Sequence, residues 1–324
     1  MFANPVRRTI NDRRWRSGIL GDGLAHGAQR NLASMKSVQK FQTSLRLGVC
    51  GVAVLGGCSA SSSQSAPMTV AVEVSTTTST TSTTTTTTTT STTLPPTELT
   101  TSIGTSVQGR AIDVVHRVDI PGARLAVDDP NRVVVLVVGV IHGDEQAGLE
   151  VIKELRAMLP SEIPANVDLW LLPTINPDGV APHQRHNANQ VDLNRNFPYK
   201  WGMIAEPGNW EYSGPSAASE PETQAMVDFV TYLRPDMTVW FHQDEFSIAP
   251  STGSDGPLRR EYARLTGLPL KGVPGGTYTG VAATWQRKTF TDDTAFIVEI
   301  GPTLAQGEAL THAHAILSIV PLLP

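Results

Sequence analysis

The sequence predicts an α/β fold: a single domain with a mixed, largely parallel β-sheet and helices on both faces. Three observations carry this expectation. Arg132–Val140 is a continuous run rich in β-branched residues, the pattern of a central strand buried on both sides. A helical pattern begins within a few residues of its end. Strand-like and helix-like segments then keep alternating to the C-terminus, as parallel sheets with helical crossovers require.

Each element has its own signal. Ala111–Val118 alternates and reads as a strand. Glu145–Leu159 places Ala147, Leu149, Val151, Ile152, Leu155 and Leu159 on one helical face and is ended by Pro160. Val167–Ile175 is a second apolar strand. Pro221–Leu233 is a helix with proline at its start. Met237–Phe241 is a short buried strand, Leu258–Thr266 a helix, Ala295–Ile300 a strand and Gln306–Leu317 a helix. In such sheets chemistry gathers at the carboxyl ends of the strands.

Composition divides the 324 residues into four parts. Residues 1–34 are basic and irregular and have no signal character, which suggests that Met35 is the true start. Residues 35–57 read as an export signal: Lys36, Lys40 and Arg46 precede an apolar stretch, Leu47–Leu55, too short to span a bilayer. It ends in Leu55-Gly56-Gly57-Cys58, which resembles a bacterial lipoprotein box, with Cys58 the expected lipidation site. Residues 58–100 are expected to be a Ser/Thr-rich disordered linker, since Thr76–Thr93 contains only Thr and Ser and cannot bury a core. Residues 101–324 have globular composition and suffice for one core.

Charge and cysteine usage exclude some functions. From Glu98 onward there are 16 Lys and Arg against 27 Asp and Glu, a balance of −11. An acidic domain is a poor nucleic-acid binder, so no nucleic-acid partner is expected. Both cysteines, Cys50 and Cys58, fall in the signal region, leaving the globular part without thiol chemistry.

The residues with chemical potential sit at predicted strand ends. His142 follows the first buried strand, and Glu145 lies three residues on, so an imidazole and a carboxylate share one strand-to-helix turn. That pair suits a catalytic zinc, and equally a loop histidine beside a helix N-terminal acid. Asn176-Pro177-Asp178-Gly179 follows the next strand, His242 follows Met237–Phe241, and Glu299 lies among apolar residues near the end of the last strand. A carboxylate in such surroundings needs a strong partner. Between them runs Arg185-His186-Asn187-Ala188-Asn189-Gln190-Val191-Asp192-Leu193-Asn194-Arg195-Asn196-Phe197-Pro198.

This ordered set of motifs, with Val298-Glu299-Ile300-Gly301 last, resembles the zinc carboxypeptidases. Within them it looks like the compact bacterial members that act on cell-wall peptides. The resemblance spans about Thr101 to Pro324 and implies a zinc carboxypeptidase-like, phosphorylase/hydrolase-like fold. It implies one Zn2+ per chain, held by His142, Glu145 and His242. Glu299 would be the general base and then acid. Asn194 and Arg195 would grip a substrate carboxylate, for which the planar guanidinium is suited. Arg185 would polarise the scissile carbonyl, and Asp192 would orient His142. Tyr278 stands at about the distance of the family's substrate-covering tyrosine, in a Gly-rich loop whose other residues do not match. Asp244 and Glu245 could serve as an acidic subsite for an ammonium group or as a solvated loop.

The expected activity is hydrolysis of short peptides, with peptidoglycan stem peptides as the expected substrate, by a metallopeptidase exported and lipid-anchored to the outer face of a bacterial membrane. Two alternatives stand beside it: a zinc-dependent N-acyl amino acid deacylase of the same fold, and a non-catalytic lipoprotein that binds wall peptides.

Overall fold

The structure, a computed structural model, describes residues 97–324 apart from positions 274 and 277. The expected N-terminal extension, the expected export signal with Cys58, and the Ser/Thr tract up to position 96 lie outside the described residues.

Seven strands form one sheet in the order β1-β2-β4-β3-β5-β7-β6. They are β1 (Glu98–Thr105), β2 (Ala111–Arg117), β3 (Val133–Val140), β4 (Val167–Thr174), β5 (Met237–Gln243), β6 (Ser247–Ile248) and β7 (Thr294–Ile300). The central four, β4, β3, β5 and β7, run parallel. The flanking β1, β2 and β6 are antiparallel to their neighbours. The expected mixed, largely parallel sheet is therefore the observed one. β1 starts at Glu98, three residues before the expected domain boundary, so the end of the predicted linker belongs to the sheet edge.

Both faces of the sheet are covered, as both-face burial of β3 requires. Every β3 residue except Val133 is buried. On one face lie α1 (Gly148–Ala157), α4 (Gly256–Thr266) and α6 (Glu308–Ser318), packing Val151, Leu155, Tyr262 and Ile316 against Val135, Val137, Val239 and Phe296. On the other lie α3 (Pro221–Leu233) and α5 (Ala282–Thr289), packing Met226, Phe229, Val230 and Trp285 with Leu136, Val138 and Trp240. Leu136 is fully buried, so truncating it to alanine would cost about 2–5 kcal/mol. Among the described residues no helix is long and apolar enough to cross a membrane.

The predicted helix over Glu145–Leu159 starts later, at Gly148. The intervening residues form a turn. No side chain of the preceding residue caps α1; instead the Ala147 N–H donates to Gln243 Oε1 at 2.8 Å, which ties the helix start to the end of β5. The parallel strands thus deliver their carboxyl ends, and the turns after them, to one edge of the sheet.

Candidate active site

The turn after β3 is built by close backbone contact. A Cβ on Gly143 would stand 2.0 Å from the Gly179 carbonyl carbon and 2.4 Å from Gln184 O, so only glycine fits. The Gly143 N–H donates to Arg185 O at 3.2 Å. Asn176 braces the same place: its Nδ2 donates to Ile141 O and Arg185 O, both at 3.1 Å, while its Oδ1 accepts from Gly179 N at 2.9 Å. That last bond caps α2 (Pro177–Val180). Asp178 faces away and accepts from Ser106 Oγ at 2.8 Å and Gln108 N at 2.9 Å, anchoring the β1–β2 turn. The Asn-Pro-Asp-Gly motif is therefore a brace for the site.

Three predicted residues converge. His142 Nδ1 lies 2.8 Å from Glu145 Oε1, and His242 Nδ1 lies 2.9 Å from Glu145 Oε2. One donor atom from each of the three falls within 4.8 Å of the others, so the group can hold a metal ion. Burial raises the pKa of the Glu145 carboxyl, but the His142 and His242 imidazoles reverse this and leave it well below the usual carboxylate range. Burial lowers the pKa of His142, and the charges of Glu145 and Asp192 more than offset that, leaving it raised.

Behind His142 stands a buried pair. His142 Nε2 lies 2.9 Å from Asp192 Oδ1. Arg185 donates to Asp192 Oδ2 from Nε at 3.1 Å and Nη2 at 2.8 Å. Its Nη1 lies 3.2 Å from Glu145 Oε1. Asp192 is fully buried; burial raises its pKa, and His142 and the Arg185 and Arg195 guanidinium groups pull it far below normal.

Glu299 sits opposite His242 in the β5–β7 register. Its Oε2 is buried without a hydrogen-bond partner among the described residues. Burial and the nearby Glu145 charge raise its pKa, only partly opposed by His242. Asn194 reaches the same place, with Nδ2 3.4 Å from His242 Nε2 and Oδ1 accepting from Ala282 N at 3.0 Å. Arg195 donates from Nη1 to Asn194 O at 3.1 Å and from Nη2 to Glu211 Oε1 at 2.7 Å. Tyr278 lies at the rim, 45% exposed, its ring centroid 5.4 Å from the Arg195 guanidinium carbon. Gly280, with φ 59°, brings that loop onto Arg195, where a Cβ would meet Arg195 O at 2.1 Å. His142, Glu145, Arg185, Asp192, Asn194, Arg195, His242 and Glu299 thus gather at one edge of the sheet, with Tyr278 at its rim.

Three neighbours carry no sequence signal of their own. Gln243 donates from its backbone to Glu145 Oε2 at 3.1 Å and from Nε2 to Gly301 O at 3.0 Å. Trp210 lies over Arg185, and Glu211 pairs with Arg195. All three join the site through contacts distant in sequence.

The donor set fits zinc. Two imidazole nitrogens and a carboxylate match its nitrogen and oxygen preference, and the unpartnered Glu299 oxygen lies on the same edge of the sheet. A family model described as zinc carboxypeptidase matches residues 87–251. Murein peptide amidase A of Escherichia coli K12 is 33% identical over 162 residues, 46% of this chain and 64% of that protein. Carboxypeptidase SOL1 of Arabidopsis thaliana is 33% identical over 142 residues, 41% of this chain and 26% of that protein. The chain spans less than two thirds of the length of these relatives. Among solved structures, carboxypeptidase A from Helicoverpa armigera shares the fold with a TM-score of 0.60 at 18% identity, over 70% of this chain and 68% of that one. With more than half of its residues matched by that model, the chain belongs to the zinc carboxypeptidase family.

Proposed function

We propose that the protein is a metallopeptidase of carboxypeptidase type that hydrolyses short cell-wall peptides. The observation that carries this reading is the convergence of His142, Glu145 and His242 within 4.8 Å, on the sheet edge that also holds Glu299. Likeness to a murein peptide amidase supports a peptidoglycan stem peptide as the substrate.

Zinc, when bound by His142, Glu145 and His242, supplies Lewis-acid polarisation of water and of the scissile carbonyl. Glu299 takes a proton from the attacking water and passes it to the leaving amine. Its raised pKa suits that exchange, because the carboxyl gives and receives a proton nearer neutral pH. Asp192 accepts from His142 Nε2–H, which leaves Nδ1 free to face Glu145 and a metal. Arg195 and Asn194 hold the substrate carboxylate. Arg185 stabilises negative charge developing on the carbonyl oxygen, with Asp192 fixing its guanidinium plane.

The test is incubation of purified protein with defined muropeptides, with products read by mass. Release of a terminal amino acid by the wild type and none by Glu299→Gln is expected. Release of an acyl group from an N-acyl amino acid instead would establish the deacylase, and binding without turnover a non-catalytic role.

We further propose that the chain is exported and anchored through a lipidated Cys58, supported by the signal-like segment before it. A cysteine carrying more than one acyl chain gives firm attachment. Cys58→Ala should leave the membrane fraction or remain unprocessed. Processing together with salt-resistant membrane binding would overturn the anchor.

A further inference from the structure

Two consecutive residues of one loop stand on the two arginines of the site. The Trp210 ring centroid lies 4.1 Å from the Arg185 guanidinium carbon. Glu211 accepts from Arg195 at 2.7 Å. The loop is tied to the segment that carries Arg195, since the Asp192 N–H donates to Tyr212 O at 2.8 Å. It is also braced internally: the Glu211 N–H donates to Asn209 Oδ1 at 3.0 Å. Glu211 is therefore held over Arg195 by its own loop.

Exposure separates the two partners. The Arg195 side chain is 7% exposed and that of Glu211 40%. Of the Arg195 nitrogens, Nη1 serves Asn194 O and Nε is buried. Nη2 is the nitrogen given to Glu211. A carboxylate that reaches Arg195 from outside must displace Glu211 or share the guanidinium with it.

We propose that Glu211 is a specificity-determining residue, selecting substrates whose terminal residue carries a free ammonium group as well as a carboxylate. This rests on the peptidase reading above. A simple carboxylate that displaces Glu211 leaves an unpaired anion beside itself. One that shares the guanidinium adds a like charge, which is unfavourable in a domain already at −11. A terminal residue bearing both groups exchanges partners instead. Its carboxylate takes Arg195, its ammonium takes Glu211, and both protein charges stay paired. Glu211 thus penalises the wrong substrate as well as attracting the right one.

The test uses two N-acylated peptides that differ only in the terminal residue, lysine or its neutral isostere norleucine. Both are titrated calorimetrically against Glu299→Gln protein, so that binding is read without turnover. The lysine peptide should bind roughly three- to thirtyfold more tightly, the range for a partly exposed ion pair. Adding Glu211→Gln should bring the ratio close to one, and Glu211→Lys should invert it. Unchanged zinc content and melting temperature establish that these variants fold. Glu245→Gln should leave the ratio standing. A ratio near one without any change at Glu211, a ratio that survives Glu211→Gln, or one that collapses with Glu245→Gln would each overturn the assignment. Selective binding with no cleavage by the wild type would instead sink the peptidase reading and leave the selectivity of Glu211 in place.

Discussion

Two buried carboxylates at opposite ends of the central strands make nearly the same contacts. Asp192, beside the turn after β3, is held by His142 Nε2 at 2.9 Å and Arg185 Nη2 at 2.8 Å. Asp168, near the start of β4, is held by His116 Nε2 at 2.7 Å and by Arg132 Nη2. Both carboxylates are fully buried. What differs is the setting of the imidazole. His116 stacks on Trp170, with ring centroids 3.9 Å apart and planes 6° from parallel, and Trp170 also donates to Asp168 at 3.1 Å. His142 turns Nδ1 toward Glu145, where a second imidazole arrives from β5. Among the described residues this is the one place where three metal-binding side chains gather. A His–Asp–Arg cluster is therefore no mark of a site by itself. The mark is a second imidazole nitrogen that faces further ligands.

The comparison is sharpened first at the metal end. His242→Ala should lose most of about one zinc per chain, because two protein ligands remain, and activity should go with it. Elemental analysis checks the zinc; full occupancy with full activity would remove His242 from the site. Glu299→Gln should keep zinc and lower kcat by roughly 10²–10⁴, the range for losing a general base. Activity within a few-fold of wild type would show that Glu299 is a bystander.

The two aspartates give the direct test. Asp192→Asn should weaken zinc affinity by about 10- to 100-fold, the usual cost of losing the partner that orients a ligand. Asp168→Asn should leave zinc affinity alone and reduce stability by about 3 kcal/mol, as breaking a buried ion pair does. If both variants changed zinc affinity equally, the distinction between the two clusters would collapse. The Asp168 cluster also carries a pH signature. Burial raises the Asp168 pKa, but His116 and Arg132 bring it below the ordinary carboxylate value. A folded pKa below the unfolded one adds stability that is complete above about pH 4 and fades as pH falls further. The wild-type advantage over Asp168→Asn in melting temperature should therefore shrink on acidification. A separate test is at Arg195: Arg195→Ala should cut the preference for free-acid over amidated peptides, worth about 2–5 kcal/mol in the wild type, and lysine should restore it only in part. Equal cleavage of acid and amide by the wild type would replace this anchor with another.

Much of this was legible because burial leaves a trace in composition. The β-branched run of β3 announced a central strand, and the Pro221–Leu233 helix appears with the predicted bounds. β1 leaves no trace in the sequence because a half-exposed antiparallel edge strand carries no apolar pattern, and its threonines continue the Thr-rich tract. α5 is equally silent because Thr284, Gln286, Arg287 and Lys288 dilute its apolar face. Within the site, the histidines and Glu299 stand at strand ends and could be found from position. Glu211 and Trp210 lie in an irregular loop and gain meaning only where the chain folds back onto Arg195 and Arg185. No periodicity encodes such a contact.

The turn at Gly143 sets what this scaffold can change. Backbone meets backbone there, so the segment bearing His142 and Glu145 and the segment leading to Arg185 move as one piece. An insertion or deletion within 179–185 would shift a ligand along with the arginine, and selection would reject it for either reason. The stretch ending at Glu211 lacks such crowding: a Cβ on Gly202 or Gly208 would meet nothing within 4 Å, and Gly202 is held through its carbonyl, which accepts from Ser213 Oγ at 3.0 Å and Thr279 Oγ1 at 3.3 Å. Inherited variation around Arg195 therefore has a natural outlet in that loop, while the cluster of His142, Glu145 and Arg185 beneath it is sheltered from the same tinkering.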